Sequence, residues 1–201
     1  MASPSTSRPY RQVARAAATD RLQQRIVEVF FELLLTQRLD EITLDAVAAG
    51  ADTTRQTIIR MFGGKERLLT AAWQLAFTRV ISTRTLPPRA TVLQIADVLV
   101  RDYDSTGDMI IRFLSQQDRY PELAPLLEQG RSGHRTWITD AFAAYLKVHE
   151  REQREALIDQ LIAVTDVYIW KLFRRDFKRD SSAVANTIAV LLDKVLVGNN
   201  P

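Results

Sequence analysis

The chain contains no cysteine. That excludes a disulfide framework, a thiolate nucleophile and any cysteine-ligated zinc. It is compatible with a reducing cytoplasm, the compartment expected here. Histidine is nearly as scarce: only His134 and His149 are present. They lie far apart with no metal-ligand spacing around either, so we expect no metal, no cofactor and no histidine-based catalytic centre. No apolar run reaches the ~20 residues of a membrane helix. Residues 1–18 hold no apolar segment of signal-peptide type, so no membrane partner is expected. Strand-like alternation is also missing. None of the seven prolines interrupts a long periodic segment.

What remains is helical periodicity from end to end. Hydrophobic residues make up 46% and charged residues 25% of the 201 positions, enough for a soluble globular core. The expected fold is all-α, with about nine helices. The first should begin near Asp20, which with Gln23 has the spacing of a capping box, and should bury Leu22, Ile26, Val29, Phe30 and Leu33. A short helix follows over 44–49 with Thr43 as its cap, then one from Thr53 or Thr54 to Phe62. Gly63-Gly64 breaks the chain, and Lys65 opens a fourth helix ending by Thr85. Pro87-Pro88 reads as a linker. Beyond it, helices are predicted over 92–104, 109–117, 123–127, 132–146, 154–178 and 182–197, the last capped by Ser181 or Ser182.

Net charge is only +3, but it is unevenly placed. Up to Arg25 the chain carries Arg8, Arg11, Arg15, Arg21 and Arg25 against Asp20 alone, a basic arm of the kind that meets DNA. The segment Thr43–Phe62 supplies the chemistry. It reads as two short helices around a tight turn, with the small Ala51 allowing close approach. Ile58 and Phe62, four apart, anchor the second helix to the core. Thr54, Arg55, Gln56, Thr57 and Arg60 are left toward solvent near its N-terminus. A DNA recognition helix needs that arrangement, because Arg and Gln make paired hydrogen bonds to guanine and adenine edges in the major groove. Lys65, at the next helix start, is placed to clamp a phosphate.

Thr43, Val47, Ala48, Ala51, Thr54, Thr57, Ile58, Phe62, Lys65 and Glu66, followed by Leu68-Leu69 and Trp73, resemble in register the helix-turn-helix of the tetracycline-repressor (TetR) family. The close match covers residues 22–73. Asp52 stands where the family has a turn glycine, Thr53 for a valine, Ile59 for a tyrosine and Met61 for a histidine. The resemblance implies a DNA-binding transcriptional regulator, by default a repressor, with an N-terminal three-helix head and a C-terminal helical half for ligand binding and dimerisation. The expected division is a flexible basic arm over 1–18, a DNA-binding domain over 19–64 and a ligand-binding and dimerisation domain over 65–201. Expected DNA contacts are Thr43, Thr54, Arg55, Gln56, Thr57, Arg60 and Lys65.

Two late segments are apolar on more than one side, where a surface helix needs a single stripe. Ile158, Ile162, Ile169 and Phe173, with Val184, Ile188, Leu191 and Val195, are the expected interface with a second copy of the chain. A homodimer would read a pseudo-palindromic double-stranded operator at a half-site spacing of about 34–36 Å or a multiple. For a small-molecule effector the candidates are Tyr103, Phe113, His134, Trp137 and Tyr168, with Phe142, Tyr145 and Trp170 as further aromatics. Asp166, inside an apolar stretch, is a candidate anchor for a cationic group. Catalytic residues are not expected: Gly130-Arg131-Ser132-Gly133 is one residue short of a nucleophile elbow, and Gly63-Gly64-Lys65-Glu66 lacks the first glycine of a phosphate loop. The alternative readings are an interaction module that keeps the helix-turn-helix without operator binding, favoured by Asp52 and Ile59, and an all-helical enzyme.

Overall fold

A computed structural model describes residues 7–199. Among them it contains ten α-helical segments, one π-helical turn and no strand. The chain divides into two compact units, residues 1–76 and 77–201, and the division falls inside a continuous helix.

The first unit holds α1 (Ser7–Thr36), α2 (Leu44–Gly50), α3 (Arg55–Phe62) and the start of α4 (Lys65–Thr83). Its buried side chains include Ile26, Phe30, Leu34, Leu39, Ile42, Val47, Ile58 and Phe62. α1 begins earlier than predicted. Asp20 is a mid-helix residue and not a cap, and residues 7–18 are helical where an arm was expected. The charge-rich early segment has no helix breaker after Pro9, and Pro9 itself lies in the first turn, where its missing N–H costs nothing. The expected arm over 1–6 lies outside the described residues. At the other end of the motif, Gly63 caps α3 at φ 78°, a left-handed conformation that glycine adopts without steric cost.

The second unit continues α4 and adds α5 (Val92–Leu114), α6 (Leu123–Ala141), α7 (Ala143–Leu146), α8 (Arg151–Thr165), α9 (Val167–Lys171), the π-helical turn Leu172–Asp176 and α10 (Ser181–Gly198). Two pairs of predicted helices are fused. α5 runs unbroken through Ser105-Thr106-Gly107, and both hydroxyls are satisfied within the helix by the Asp102 carbonyl. Gly107 serves packing here: a Cβ on it would stand 2.5 Å from the Trp170 ring. The predicted helix 154–178 is instead divided. At Asp166 the backbone turns extended (ψ 150°), and its carboxylate accepts from Tyr168 N (2.9 Å), capping α9. Asp166, the candidate anchor for a cationic group, serves in the fold as a helix cap. α10 is capped by Asp180, not by a serine; Ser181 donates instead to Asp104.

The core of this unit gathers Leu99 and Tyr103 of α5, Ile138 of α6, Leu157 and Leu161 of α8, Trp170 of α9, and Ile188 and Leu192 of α10. α10 packs chiefly along α5. Among the described residues it is the one helix apolar and long enough, by composition, to cross a membrane. One face accounts for much of that character, since Val184, Ala185, Ile188, Leu192 and Leu196 are buried within the protomer. Val190, Leu191 and Val197 on the opposite side are exposed.

Candidate functional site

The helix-turn-helix is assembled by its caps. Thr43 Oγ1 accepts from Ala46 N (3.1 Å) and starts α2. Ala51 is fully buried at the turn, and Asp52 takes φ 50°, the left-handed conformation that a glycine would supply and that Asp tolerates better than most residues. Thr54 Oγ1 then accepts from Thr57 N (3.2 Å) and lies 3.0 Å from Thr57 Oγ1, which opens α3. Ile58 and Phe62 point into the core. Thr54, Arg55, Gln56 and Arg60 are exposed and Thr57 is half-buried. Ile59 lies on the same helix at 38% exposure. Arg55 pairs with Asp45 at 3.6 Å in open solvent. Such exposed pairs are worth at most about 1 kcal/mol, so the guanidinium is easily transferred to another partner.

Lys65, expected at a phosphate, is half-buried in the fold. Its ammonium donates to the carbonyls of Leu39 and Ile42 (2.6 Å to the latter), tying the loop after α1 to the start of α4. A chain segment whose carbonyls face inward needs a donor, and this lysine supplies it.

In the second unit the expected effector residues separate. Phe113 is fully buried and Tyr168 is 56% exposed; neither is among the residues that line the cavity beside Trp137. Both lie on helices with apolar neighbours on several sides, so periodicity alone does not reveal which way they face. Trp137 lines a cavity of about 240 Å³ together with Arg84, Leu86, Asp140 and Ala141. Tyr103 and His134 join the polar network around Arg84.

That network was not anticipated. Arg84, 8% exposed, donates through Nε to Asp102 Oδ2 (2.7 Å), and its Nη2 lies at the same distance from that oxygen. Its Nη1 donates to His134 Nδ1 (2.8 Å). A guanidinium only donates, so Nδ1 is the acceptor and the imidazole proton sits on Nε2, 3.0 Å from Thr165 Oγ1. Thr165 Oγ1 donates in turn to Leu161 O (2.7 Å). The break before Asp166 leaves the Thr165 carbonyl to Tyr103 OH (3.1 Å). The rings of Tyr103 and Trp137 flank the guanidinium at 5.2 and 5.1 Å, and Trp137 Nε1 donates to Arg84 O (2.8 Å). Burial, reinforced by the adjacent Arg84 charge, pushes the His134 pKa down to about 3, so the ring is neutral. Burial pushes the Tyr103 phenol up to about 12. It also raises the Asp102 carboxyl, against the pull of Arg84. The available signal was Asp102 itself, a charge just after the apolar Val98-Leu99-Val100 and beside Tyr103 on a helix with a buried face. Arg84, hidden just before the proline linker, had none.

The expected interface residues also separate. Ile158, Val184 and Ile188 are buried inside the protomer and cannot meet a partner. Ile162, Ile169, Phe173 and Val195 are partly buried against the same core. Leu191 is exposed. The helix carries two apolar faces, and pattern alone does not say which one α5 covers.

Among the described residues no group of three or more potential metal ligands occurs. No family model matches the chain. An uncharacterised HTH-type transcriptional regulator of Mycobacterium tuberculosis is 23% identical over 180 residues, covering 87% of this chain and 86% of that one. A TetR-family transcriptional regulator from Streptomyces coelicolor superposes with a TM-score of 0.71 at 16% identity, over 90% of each chain. The multidrug binding protein EbrR, solved with imidazole, gives a TM-score of 0.56 at 18% identity over 84% of this chain and 93% of that one. The helix-turn-helix with its capped third helix and the all-helical second unit together give this chain the fold of the TetR-family transcriptional regulators.

Proposed function

We propose that the protein is a ligand-responsive transcriptional regulator, a repressor by family default, that binds a pseudo-palindromic operator as a homodimer in the cytoplasm. The observation that supports this most is the first turn of α3. The Thr54 cap fixes its start, and Arg55, Gln56 and Arg60 stand in solvent with no role in the core. Side chains so placed reach base edges when the helix enters a major groove. Thr43, Thr54 and Thr57 lie beside them as further contacts to backbone or bases. The related regulators and the fold support the same reading.

Dimerisation is proposed through the outer sides of α8 and α10, centred on Leu191 with Val190 and Val197 and flanked by Ile162 and Val195. An effector is proposed to enter the cavity beside Trp137 and to act by favouring one arrangement of the two heads over another. No catalytic role is assigned.

The test is fluorescence anisotropy with the DNA upstream of the protein's own gene, over a salt series. The reading requires sequence-selective binding that weakens with salt. Arg55→Ala should relax base preference at one operator position, by about 1–3 kcal/mol of discrimination. If no selective binding is found with intact folded protein, the exposed Ile59 favours the interaction-module reading instead.

A further inference from the structure

The cavity beside Trp137 has a charge pattern that selects among ligands, and we infer that it takes a small organic cation, a protonated amine on an apolar or aromatic body. The inference deepens the effector reading above and rests on that reading for its regulatory meaning. Two charged residues line the cavity, Arg84 and Asp140. Arg84 is already neutralised: Asp102 takes its Nε and Nη2, and His134 takes its Nη1. An anion would have to displace a buried carboxylate to reach it. The indole N–H of Trp137 is also engaged, by the Arg84 carbonyl. Asp140 differs. It is exposed at the cavity, and among the described residues no ion pair or side-chain hydrogen bond engages its carboxylate.

The three α6 residues of the lining fall at i, i+3 and i+4 and so share one face of the helix. Trp137 supplies aromatic surface, Asp140 a negative charge on the same helix face, and Leu86 and Ala141 further apolar lining of a cavity open to solvent. An ammonium paired with Asp140, its body against Trp137 and Leu86, satisfies every group without breaking an existing bond. At about 240 Å³ the cavity lies just below the usual range of ~300–1,000 Å³ for ligand sites, which favours a single-ring molecule.

Calorimetric titration of the full chain with three isosteric probes tests this: benzylamine, benzyl alcohol and benzoate, at neutral pH. Benzylamine should bind up to about fivefold more tightly than benzyl alcohol, the most an exposed ion pair supplies, and benzoate should bind weakest. Asp140→Asn, at an exposed position that leaves the fold intact, should remove the preference for the amine and keep the affinity for the alcohol. Equal binding of amine and alcohol, preference for benzoate, an amine preference that survives Asp140→Asn, or no binding of any probe would each overturn the inference. The titration contains no DNA, so its failure is separable from failure of the regulator reading. That reading is judged by operator binding of the ligand-free protein.

Discussion

Replacing Asp102 with Asn leaves the shape of the buried network intact and removes the carboxylate that, among the described residues, pairs with Arg84. Arg84 and Asp102 are 8% and 1% exposed, and their contact is 2.7 Å. A guanidinium does not lose its proton, so in Asp102→Asn it stays charged, buried and unpaired. Breaking such a pair from one side costs about 3–5 kcal/mol, more than the pair is worth as a whole. Arg84→Met breaks it from the other side, and the outcome differs because a stranded carboxyl can take up a proton. Burial already raises the Asp102 pKa, and without Arg84 that shift grows. A carboxyl with a folded-state pKa above its unfolded value favours the fold below the unfolded pKa and loses that contribution as pH rises through the folded pKa. The Arg84→Met deficit should therefore shrink as the pH is lowered. The double variant Arg84→Met/Asp102→Leu strands no charge and should be more stable than Asp102→Asn by about 2 kcal/mol or more. Urea unfolding at fixed protein concentration measures all three. If Asp102→Asn costs less than about 1 kcal/mol, or the double variant loses as much as the sum of the singles, the pair is not the desolvated, mutually dependent unit described here.

Four other outcomes are expected. His134 holds a folded pKa of about 3 against an unfolded value near 6.5, so the unfolded chain binds the extra proton and stability falls as pH drops through that window. His134→Gln should flatten this acid limb by about 1.4 kcal/mol per pH unit, and an unchanged limb in urea titrations would reject the buried neutral imidazole. Lys65→Met should destabilise the protein by about 2–3 kcal/mol through loss of its charged hydrogen bonds to Leu39 and Ile42 carbonyls, while the slope of DNA affinity against salt changes by much less than the ~0.9 of a phosphate contact. A full loss of slope with unchanged stability would restore the phosphate role. Gly107→Ala should cost about 1–3 kcal/mol by forcing Trp170 to move, and a neutral melting temperature would contradict the packing. Leu191→Glu should shift the chain to monomer in sedimentation experiments without lowering helix content, whereas Ile188→Glu, inside the protomer, should unfold it.

The helix-turn-helix was legible because its signals are local. Thr43 and Thr54 cap the helices that follow them by accepting from amides three residues ahead, Gly63 ends one, and Ile58 and Phe62 share a face by spacing alone. Those relations are complete within a few turns of chain, so residue order is enough to specify them. The all-α class followed in the same way, from periodicity summed along the whole chain. Whatever depended on a distant partner was not legible. Lys65 meets carbonyls 23 and 26 residues away, and Arg84 meets His134 at a separation of 50. The side of α10 that is buried, and the need for a glycine at 107 where the Trp170 ring packs, were likewise decided by what packs opposite. A side chain's direction follows from backbone geometry, but its chemistry follows from what it faces, and only the folded chain supplies that neighbour.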